Sequence, residues 1–231
     1  MDALKKTPFW YFIYSARNME SEDIKRFKKN DPCISEIIRR SNLHERITPR
    51  GFSIGGQLVL PKRMDVELMF GIRDGDWPIE VSNRTVEENE FIVRCFPLKI
   101  VHLRSKAKGS YHLTKAVILK ALYSKLDAPD NDLTSIHDVA RLVHLYLLSN
   151  FFLANQNYMI NWHITKCVVE IDNLCMYDWS RLILRSLLKG IQNGPTTLTG
   201  TCTLFLQVNN FELYSILYDY ISSHFQFLHL I

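Results

Sequence analysis

Two residues that could together perform hydrolysis are His163 and Cys167, which lie four positions apart. On a helix, residues four apart share one face, so an imidazole there could act as the base for a thiol nucleophile. Such a thiol needs a lowered pKa, usually from a helix N-terminus or a neighbouring cation. The surrounding pattern instead predicts Cys167 in mid-helix on an apolar flank, where burial raises the pKa. Because this environment disfavours a reactive thiol, a cysteine-dependent hydrolase is kept only as the second alternative function.

Metal and cofactor chemistry has no comparable pattern in this sequence. The eight histidines include no HExxH pair, and the five cysteines include no CxxC pair. His137 and His144 lie seven apart and share a helix face, but zinc usually takes three or four protein ligands. The Gly55-Gly56 pair lacks the lysine and hydroxyl residue that follow in a P-loop. The sequence predicts no metal, no cofactor and no catalysis.

Clustered basic residues are the features that fit a binding function. Arg181, Arg185 and Lys189 recur every four residues, which places them on one edge of a predicted helix. This edge is either the partner-binding surface or simply the solvent-facing side of the helix. The segments 25–29 and 104–108 are also basic, and they would suit import signals, phosphate contacts or solvated faces.

The composition bounds the class of protein. The chain has 231 residues, of which 47% are hydrophobic and 23% charged, as is typical of globular proteins. Its net charge of +4 falls short of that of a dedicated nucleic-acid binder. The odd number of widely spaced cysteines indicates a reducing, intracellular compartment. No apolar run approaches the roughly 20 residues that span a bilayer, so we expect no membrane partner.

The elements that must position these residues are mostly helices. From residue 113 onward, apolar residues recur with helical spacing. This pattern predicts one helix from Thr114 to Leu126, a second that Ser135 caps, and a third over 178–190 that Gly190 and Gly194-Pro195 terminate. The third helix carries the basic edge described above, and its apolar stripe includes Trp179, whose indole is predicted to be buried between helices.

The earlier part of the chain mixes helical and β signals. A Gly-Gly pair between two β-like pieces in residues 52–60 predicts a tight hairpin. The following MDVELMFGI predicts a short helix that Gly71 stops. The predicted fold is mostly α, a single helical globular domain with a small N-terminal β hairpin. We assign residues 1–30 to an N-terminal extension and residues 31–231 to the domain.

A resemblance to a known family rests on motifs in the second half of the chain. They run from a leucine-rich helix and an aspartate to a Tyr-x-Trp step, paired leucines, a glycine and a glutamine. This order resembles the plant mobile domain, also labelled aminotransferase-like. A neighbouring plant domain of unknown function, found next to SUMO-protease-like regions, shares the Tyr-x-Trp helix and stays an alternative. The residues that carry the resemblance are Asp172, Tyr177, Trp179, Leu182, Gly200 and Gln207.

An upstream segment extends the resemblance, since Gly71-Ile72 and Asp74-Gly75 are similar to a further element of the family. The chain ends earlier than most family members, as a truncated member would. The aminotransferase-like label implies no chemistry here. A pyridoxal enzyme needs a Schiff-base lysine, a carboxylate for the pyridinium nitrogen and a phosphate cup, and the sequence shows no such set.

The resemblance implies a nuclear protein without enzymatic activity. Host members of the family, the maintenance-of-meristems type, are nuclear and are associated with gene expression and transposon silencing. We therefore expect a protein–protein interaction module with a nuclear protein partner and structural roles for the motif residues. Other members lie in transposable elements, so the first alternative is a transposon-derived nucleic-acid-binding protein. Nothing in the residues indicates an oligomeric state.

Overall fold

The computed structural model of the chain is mostly helical in the residues that it describes. This confirms the predicted mostly α class. Within this described part, no helix combines the length and the apolar character needed to cross a bilayer. The described residues are 2–18, 35–36, 39, 52–54, 57–80, 89–97, 112–127, 132–153 and 159–193.

The first half of the chain combines short helices with one pair of short strands. β1 and β2 pair antiparallel, with Ser53 opposite Leu58. The helix α3 ends at Gly71, whose φ of 60° is a left-handed conformation that glycine adopts without steric cost. The predicted stop at Gly71 is confirmed. In order, these elements are α1 (Asp2–Lys5), α2 (Trp10–Asn18), β1 (Phe52–Ile54), β2 (Gln57–Val59), α3 (Arg63–Phe70) and α4 (Glu90–Cys95).

The second half contains the longer helices. The strand β3 pairs antiparallel with β4, where Leu113 lies opposite Ile160. A π-helical turn follows α6 directly, and a 3-10 helix leads into α8. The elements are β3 (His112–Thr114), α5 (Lys115–Asp127), α6 (Leu133–Leu147), the π-helical turn (Leu148–Phe152), β4 (Met159–Asn161), α7 (Trp162–Val169), the 3-10 helix (Ile171–Met176) and α8 (Trp179–Asn193).

Two helix boundaries differ from the sequence-based prediction. The cap of α6 is Asp132 rather than Ser135, because the Asp132 carboxylate accepts a hydrogen bond from the Ser135 backbone N–H at 2.5 Å. The helix α8 continues through Gly190 and ends at Asn193, directly before the predicted stop at Gly194-Pro195 in the sequence. A glycine within a helix costs only about 1 kcal/mol, which packing elsewhere in the helix offsets.

The core forms where the N-terminal segment meets α6, the π-helical turn and α8. Phe9 is fully buried, with ring centroids 5.1 Å from Phe152 and 5.6 Å from Trp179. The Trp179 indole is also fully buried, and its Nε1–H donates to the Leu174 carbonyl at 2.8 Å. The predicted burial of Trp179 is confirmed. The segment assigned to an N-terminal extension, residues 1–30, thus supplies Phe9 to the core.

A buried carboxylate ties three helices together away from this aromatic core. Asp138 on α6 lies 3.1 Å from Arg94 on α4, 3.2 Å from Lys125 on α5, and 3.0 Å from Arg141 on its own helix. Burial alone would raise the pKa of Asp138, but hydrogen bonds from Arg94 and Lys125 lower it below its ordinary value. The carboxylate is therefore ionised at neutral pH and holds the three cations together.

Candidate functional site

A single arginine joins carboxylates from distant parts of the chain. Arg63 Nη1 lies 2.7 Å from Asp76 Oδ1 and 3.4 Å from Asp178 Oδ2. Its Nη2 lies 3.6 Å from Asp74 Oδ1, and its Nε lies 2.5 Å from Glu67 Oε1. Asp74 and Asp178 are buried, with side chains only 1% and 2% exposed, so Arg63 compensates their charge. We call these five residues the Arg63 junction.

The two buried carboxylates of the junction also cap α8. Asp178 immediately precedes the helix, and its Oδ1 accepts a hydrogen bond from the Arg181 backbone N–H at 3.0 Å. Asp74 Oδ2 accepts one from the Ser180 backbone N–H at 2.5 Å. The first turn of a helix leaves backbone N–H groups unpaired and attracts negative charge, so both contacts are favourable. Burial raises the pKa of Asp74, and the bond from Ser180 opposes that rise.

Backbone hydrogen bonds fix the loop after α3 against the start of α8. The Gly75 N–H donates to the Tyr177 carbonyl at 3.1 Å, and the Trp77 N–H donates to the Met176 carbonyl at 2.8 Å. The Asp178 N–H donates in turn to the Trp77 carbonyl at 2.8 Å. A Cβ atom at Gly75 would lie 2.4 Å from the Met176 carbonyl oxygen, so only glycine permits this approach.

This rigid loop presents an aromatic side chain to solvent. Trp77 is 47% exposed, although its backbone is bonded on both sides. Its ring packs edge-to-face on Tyr177, with centroids 5.6 Å apart and an interplanar angle of 86°. Met176 lies beside them and is also exposed. We call Trp77, Met176 and Tyr177 the aromatic patch.

The basic residues predicted to bind a partner lie next to this patch. Arg181, Arg185 and Lys189 are all exposed on α8. Arg181 Nε pairs with Asp178 Oδ2 at 2.9 Å, and Arg185 Nη2 donates to the Ile79 carbonyl at 3.3 Å. The three residues therefore form a row along α8 that begins beside Asp178, the residue after Tyr177 of the patch. We call this row the basic row.

The residues that carried the family resemblance occupy different environments. Trp179 and Leu182 are buried in the core, as structural roles require. Tyr177 is half-buried and belongs to the aromatic patch, whereas Asp172 is exposed on the 3-10 helix. Two of the motif residues lie outside the described residues: Gly200 and Gln207.

Cysteine chemistry finds little support in the thiol environments. Cys167 is buried, and burial raises its pKa to about 11. Burial likewise raises the pKa of Cys95 to about 12. A nucleophilic thiol needs a shift in the opposite direction. The side chain of the proposed base, His163, lies outside the described residues.

The histidine pair considered as a metal site is divided between two environments. His144 is fully buried against Phe9, and its Nδ1–H donates to the Ala140 carbonyl at 2.6 Å. Burial lowers the pKa of His144 to about 4, so the imidazole is neutral. His137 is half-buried on the same helix. Among the residues that the structure describes, no group of three or more His, Cys, Asp or Glu side chains could hold a metal ion.

The sequence-based predictions do not include Arg63 or Trp77. Arg63 joins the carboxylates of the junction, and Trp77 is the exposed ring of the aromatic patch. The Trp77-Pro78 step by itself indicates only a turn. The available signal was a tryptophan in a polar loop, between an aspartate and a proline, outside any apolar pattern. Arg63 gave no local signal, because its partner Asp178 lies 115 residues away in the chain.

Comparison with known proteins assigns a different family from the expected one. A family model described as a domain of unknown function (DUF8566) matches residues 48–207, which is 160 of the 231 residues. This match contradicts the resemblance to the plant mobile domain, and no such domain is identified. Paired leucines at helical spacing mark the buried face of any amphipathic helix, so such a pattern is weakly specific for a family. The nuclear role and transposon silencing rested on that resemblance and lose their basis.

No curated protein and no solved structure matches the chain.

Proposed function

Because the chain belongs to the DUF8566 family, whose function is unknown, we propose from its structure that it is a non-enzymatic protein-interaction module. In this proposal the aromatic patch binds a partner protein and Trp77 is the anchor. The observation that carries the proposal is that Trp77 is exposed on a loop whose backbone is fixed on both sides. Tryptophan is enriched among the residues that dominate binding energy at protein interfaces.

The rigidity of the loop distinguishes Trp77 from an ordinary exposed apolar residue. Single exposed hydrophobic side chains are normal on protein surfaces. Here, however, the Asp74 cap, the close approach of Gly75 and three backbone hydrogen bonds hold the loop on α8. A partner would meet a side chain whose backbone is already ordered. Preorganisation of this kind reduces the entropy lost on association.

The environment of the patch suits a protein partner. An interface typically surrounds an aromatic centre with a polar rim. Asp76 and Pro78 flank Trp77 and are exposed, and Arg181 lies exposed on the neighbouring helix. These residues would form such a rim around the aromatic patch. The raised pKa values of Cys167 and Cys95 favour a binding function over a hydrolase, because neither thiol is ionised near neutral pH.

Affinity capture with matched variants tests the proposed function. The bait proteins are the wild type, Trp77→Ala and Tyr123→Ala, and the captured proteins are identified from extracts of the cells that express the chain. Tyr123 is 60% exposed on α5, so its variant removes an exposed aromatic ring elsewhere. We expect Trp77→Ala to lose partners that the other two baits retain.

Both variants should keep a melting temperature close to that of the wild type, because surface substitutions usually change stability by less than about 0.5 kcal/mol. Equal recovery of every partner by a folded Trp77→Ala bait would contradict the proposed function.

A further inference from the structure

We propose that the partner recognised by this module is an acidic protein segment that places an apolar residue on Trp77 and carboxylates on the basic row. The inference rests on the proposed function and adds the chemistry of the partner. It is carried by the continuity of the aromatic patch with Arg181, Arg185 and Lys189, all of which are exposed.

Contacts between the loop and α8 establish this continuity. The Asp178 N–H donates to the Trp77 carbonyl at the start of the helix. One turn beyond Arg181, Arg185 donates to the carbonyl of Ile79, two residues after Trp77. The loop therefore runs alongside the first turns of α8. A segment bound on Trp77 is directed along the helix toward Lys189.

The spacing of the basic row sets the register of the bound carboxylates. Residues four apart on a helix are separated by about 6 Å along its axis. Side chains on one face of an extended chain recur every second residue, roughly 6.6–6.8 Å apart. An extended segment with an acidic residue at every second position can therefore meet Arg181, Arg185 and Lys189 in turn. Three adjacent carboxylates would point to alternating faces and could not.

The arginines of the row retain capacity for such carboxylates. A guanidinium has five N–H donors. Within the described residues, Arg181 uses Nε on Asp178, and Arg185 uses one Nη2 hydrogen on the Ile79 carbonyl. The contact of Arg185 holds its side chain against the loop, and that of Arg181 holds its side chain at the start of α8, which reduces the side-chain entropy lost on binding. The remaining donors suit charge-assisted hydrogen bonds to carboxylate oxygens.

The charges around Trp77 favour a protein over a nucleic acid. Asp76 precedes Trp77 and its side chain is 90% exposed, and Glu80 is exposed three residues after Trp77. A base stacked on Trp77 would bring its phosphates toward these carboxylates. An acidic segment that places an apolar residue on Trp77 brings no charge near Asp76 and Glu80. The carboxylates of that segment lie farther along, on the basic row.

Binding of labelled synthetic peptides to the full chain tests the inference. The probe is Pro-Leu-Gly-Glu-Thr-Glu-Thr-Glu, and its matched control, Pro-Leu-Gly-Thr-Thr-Glu-Glu-Glu, has the same composition with adjacent glutamates. Fluorescence anisotropy at low salt gives both dissociation constants. We expect the alternating probe to bind about five- to tenfold more tightly than the control, because only the alternating spacing matches the basic row.

A triple variant, Arg181→Gln with Arg185→Gln and Lys189→Gln, should weaken the alternating probe by about tenfold or more. A variant with the same loss of charge, Lys5→Gln with Arg17→Gln and Lys120→Gln, should bind it within about twofold of the wild type, since charges remote from a site act weakly. These three residues are exposed on α1, α2 and α5.

Several outcomes would overturn the inference. The first two are equal dissociation constants for the two peptides and an unchanged dissociation constant of the triple variant for the alternating probe. The others are dissociation constants above about 1 mM for both peptides and tighter binding of a thymidine 20-mer than of the alternating probe. The last outcome would assign the site to single-stranded nucleic acid. If Trp77→Ala loses cellular partners while the triple variant keeps them, the proposed function stands and the acidic partner is excluded.

Discussion

The Asp74 carboxylate accepts a hydrogen bond from the backbone N–H of Ser180 at 2.5 Å, across 106 residues of sequence. This contact joins the loop after α3 to the first turn of α8. Asp178 caps the same turn, and Arg63 lies between the two carboxylates. The arrangement explains how a buried pair of aspartates can be stable. Because Trp77 lies on the same loop as Asp74, the capping contact also helps to fix the position of the Trp77 backbone.

Asp74→Ala should lower the free energy of unfolding by about 1–3 kcal/mol, the usual cost of leaving a buried backbone donor unpaired. The substitution removes the acceptor of the Ser180 N–H and one counter-charge of Arg63. Urea unfolding of the variant and the wild type measures the loss. Asp76→Ala is the matched control, because it removes an exposed carboxylate from the same arginine. Equal losses in the two variants would show that the cap contributes nothing.

Asp138→Ala should destabilise the chain more strongly, by about 3–5 kcal/mol, as is typical when one partner of a buried ion pair is removed. The variant would leave Arg94, Lys125 and Arg141 close together without their shared carboxylate. Glu90→Ala is the control, because Glu90 is an exposed partner of the same Arg94. We expect its loss to stay below about 0.5–1 kcal/mol. A similar loss in both variants, measured in urea, would argue against a buried network.

His144 should make stability depend on pH in mildly acidic solution. Burial lowers its folded-state pKa to about 4, whereas an exposed histidine titrates near 6.5. Between these values the unfolded chain binds more protons, so the free energy of unfolding falls as the pH falls. This contribution is fully present above about pH 6.5, and its slope approaches about 1.4 kcal/mol per pH unit inside the window. Below the window, protonation of Asp138 adds a further loss, because its pKa is lowered from the ordinary value.

Urea unfolding between about pH 7.5 and about pH 4.5, a range that covers most of this window, tests the role of His144. His144→Gln should be less stable than the wild type at neutral pH but should lose the added slope. His137→Gln on the same helix is the control and should keep the slope, because it leaves the buried His144 in place. An unchanged slope in His144→Gln would assign the pH dependence to other groups.

Features that depend on neighbouring residues could be predicted from the sequence. Helical spacing gave the helices after residue 113, and the end of α3 at Gly71 followed from the conformational freedom of glycine. Burial of Trp179 followed from its place on an apolar stripe. The cap of α6 was wrong by three residues, because Asp132 and Ser135 are both good caps and local pattern does not separate them.

Features that depend on contacts between distant residues could not be predicted in this way. The Asp74-Gly75 and Tyr177-Asp178-Trp179 motifs are each recognisable in the sequence, but nothing in their spacing indicates that they touch. The sequence gives no sign of the role of Arg63, because an arginine at the start of a helix is ordinary. Its role arises only when folding brings the carboxylates around it. The same motifs suggested a family that the comparison contradicts, since helix-packing patterns alone are weakly specific.

Gly75→Ala should disturb the aromatic patch without removing any of its side chains. A Cβ atom at this position would lie 2.4 Å from the Met176 carbonyl oxygen and 2.8 Å from its Cα, so the loop has to move away from the start of α8. That movement stretches the hydrogen bonds that the Trp77 and Asp178 amides donate. Hydrogen exchange of these two amides should therefore accelerate, by about tenfold for each 1.4 kcal/mol lost locally.

Gly71→Ala is the matched control for this substitution. It also strains the chain, because Gly71 has a φ of 60° and a Cβ there would lie 2.9 Å from the Tyr11 Cβ. Adopting this left-handed conformation costs a residue other than glycine about 1–2 kcal/mol. The strain acts at the end of α3 rather than on the contacts of Trp77. We therefore expect Gly71→Ala to lower the melting temperature but to retain the partners captured by the wild type, and Gly75→Ala to lose them. The contrary outcome is a Gly75→Ala variant that recovers the same partners as the wild type although its Trp77 amide exchanges faster. That result would show that binding does not require an ordered loop.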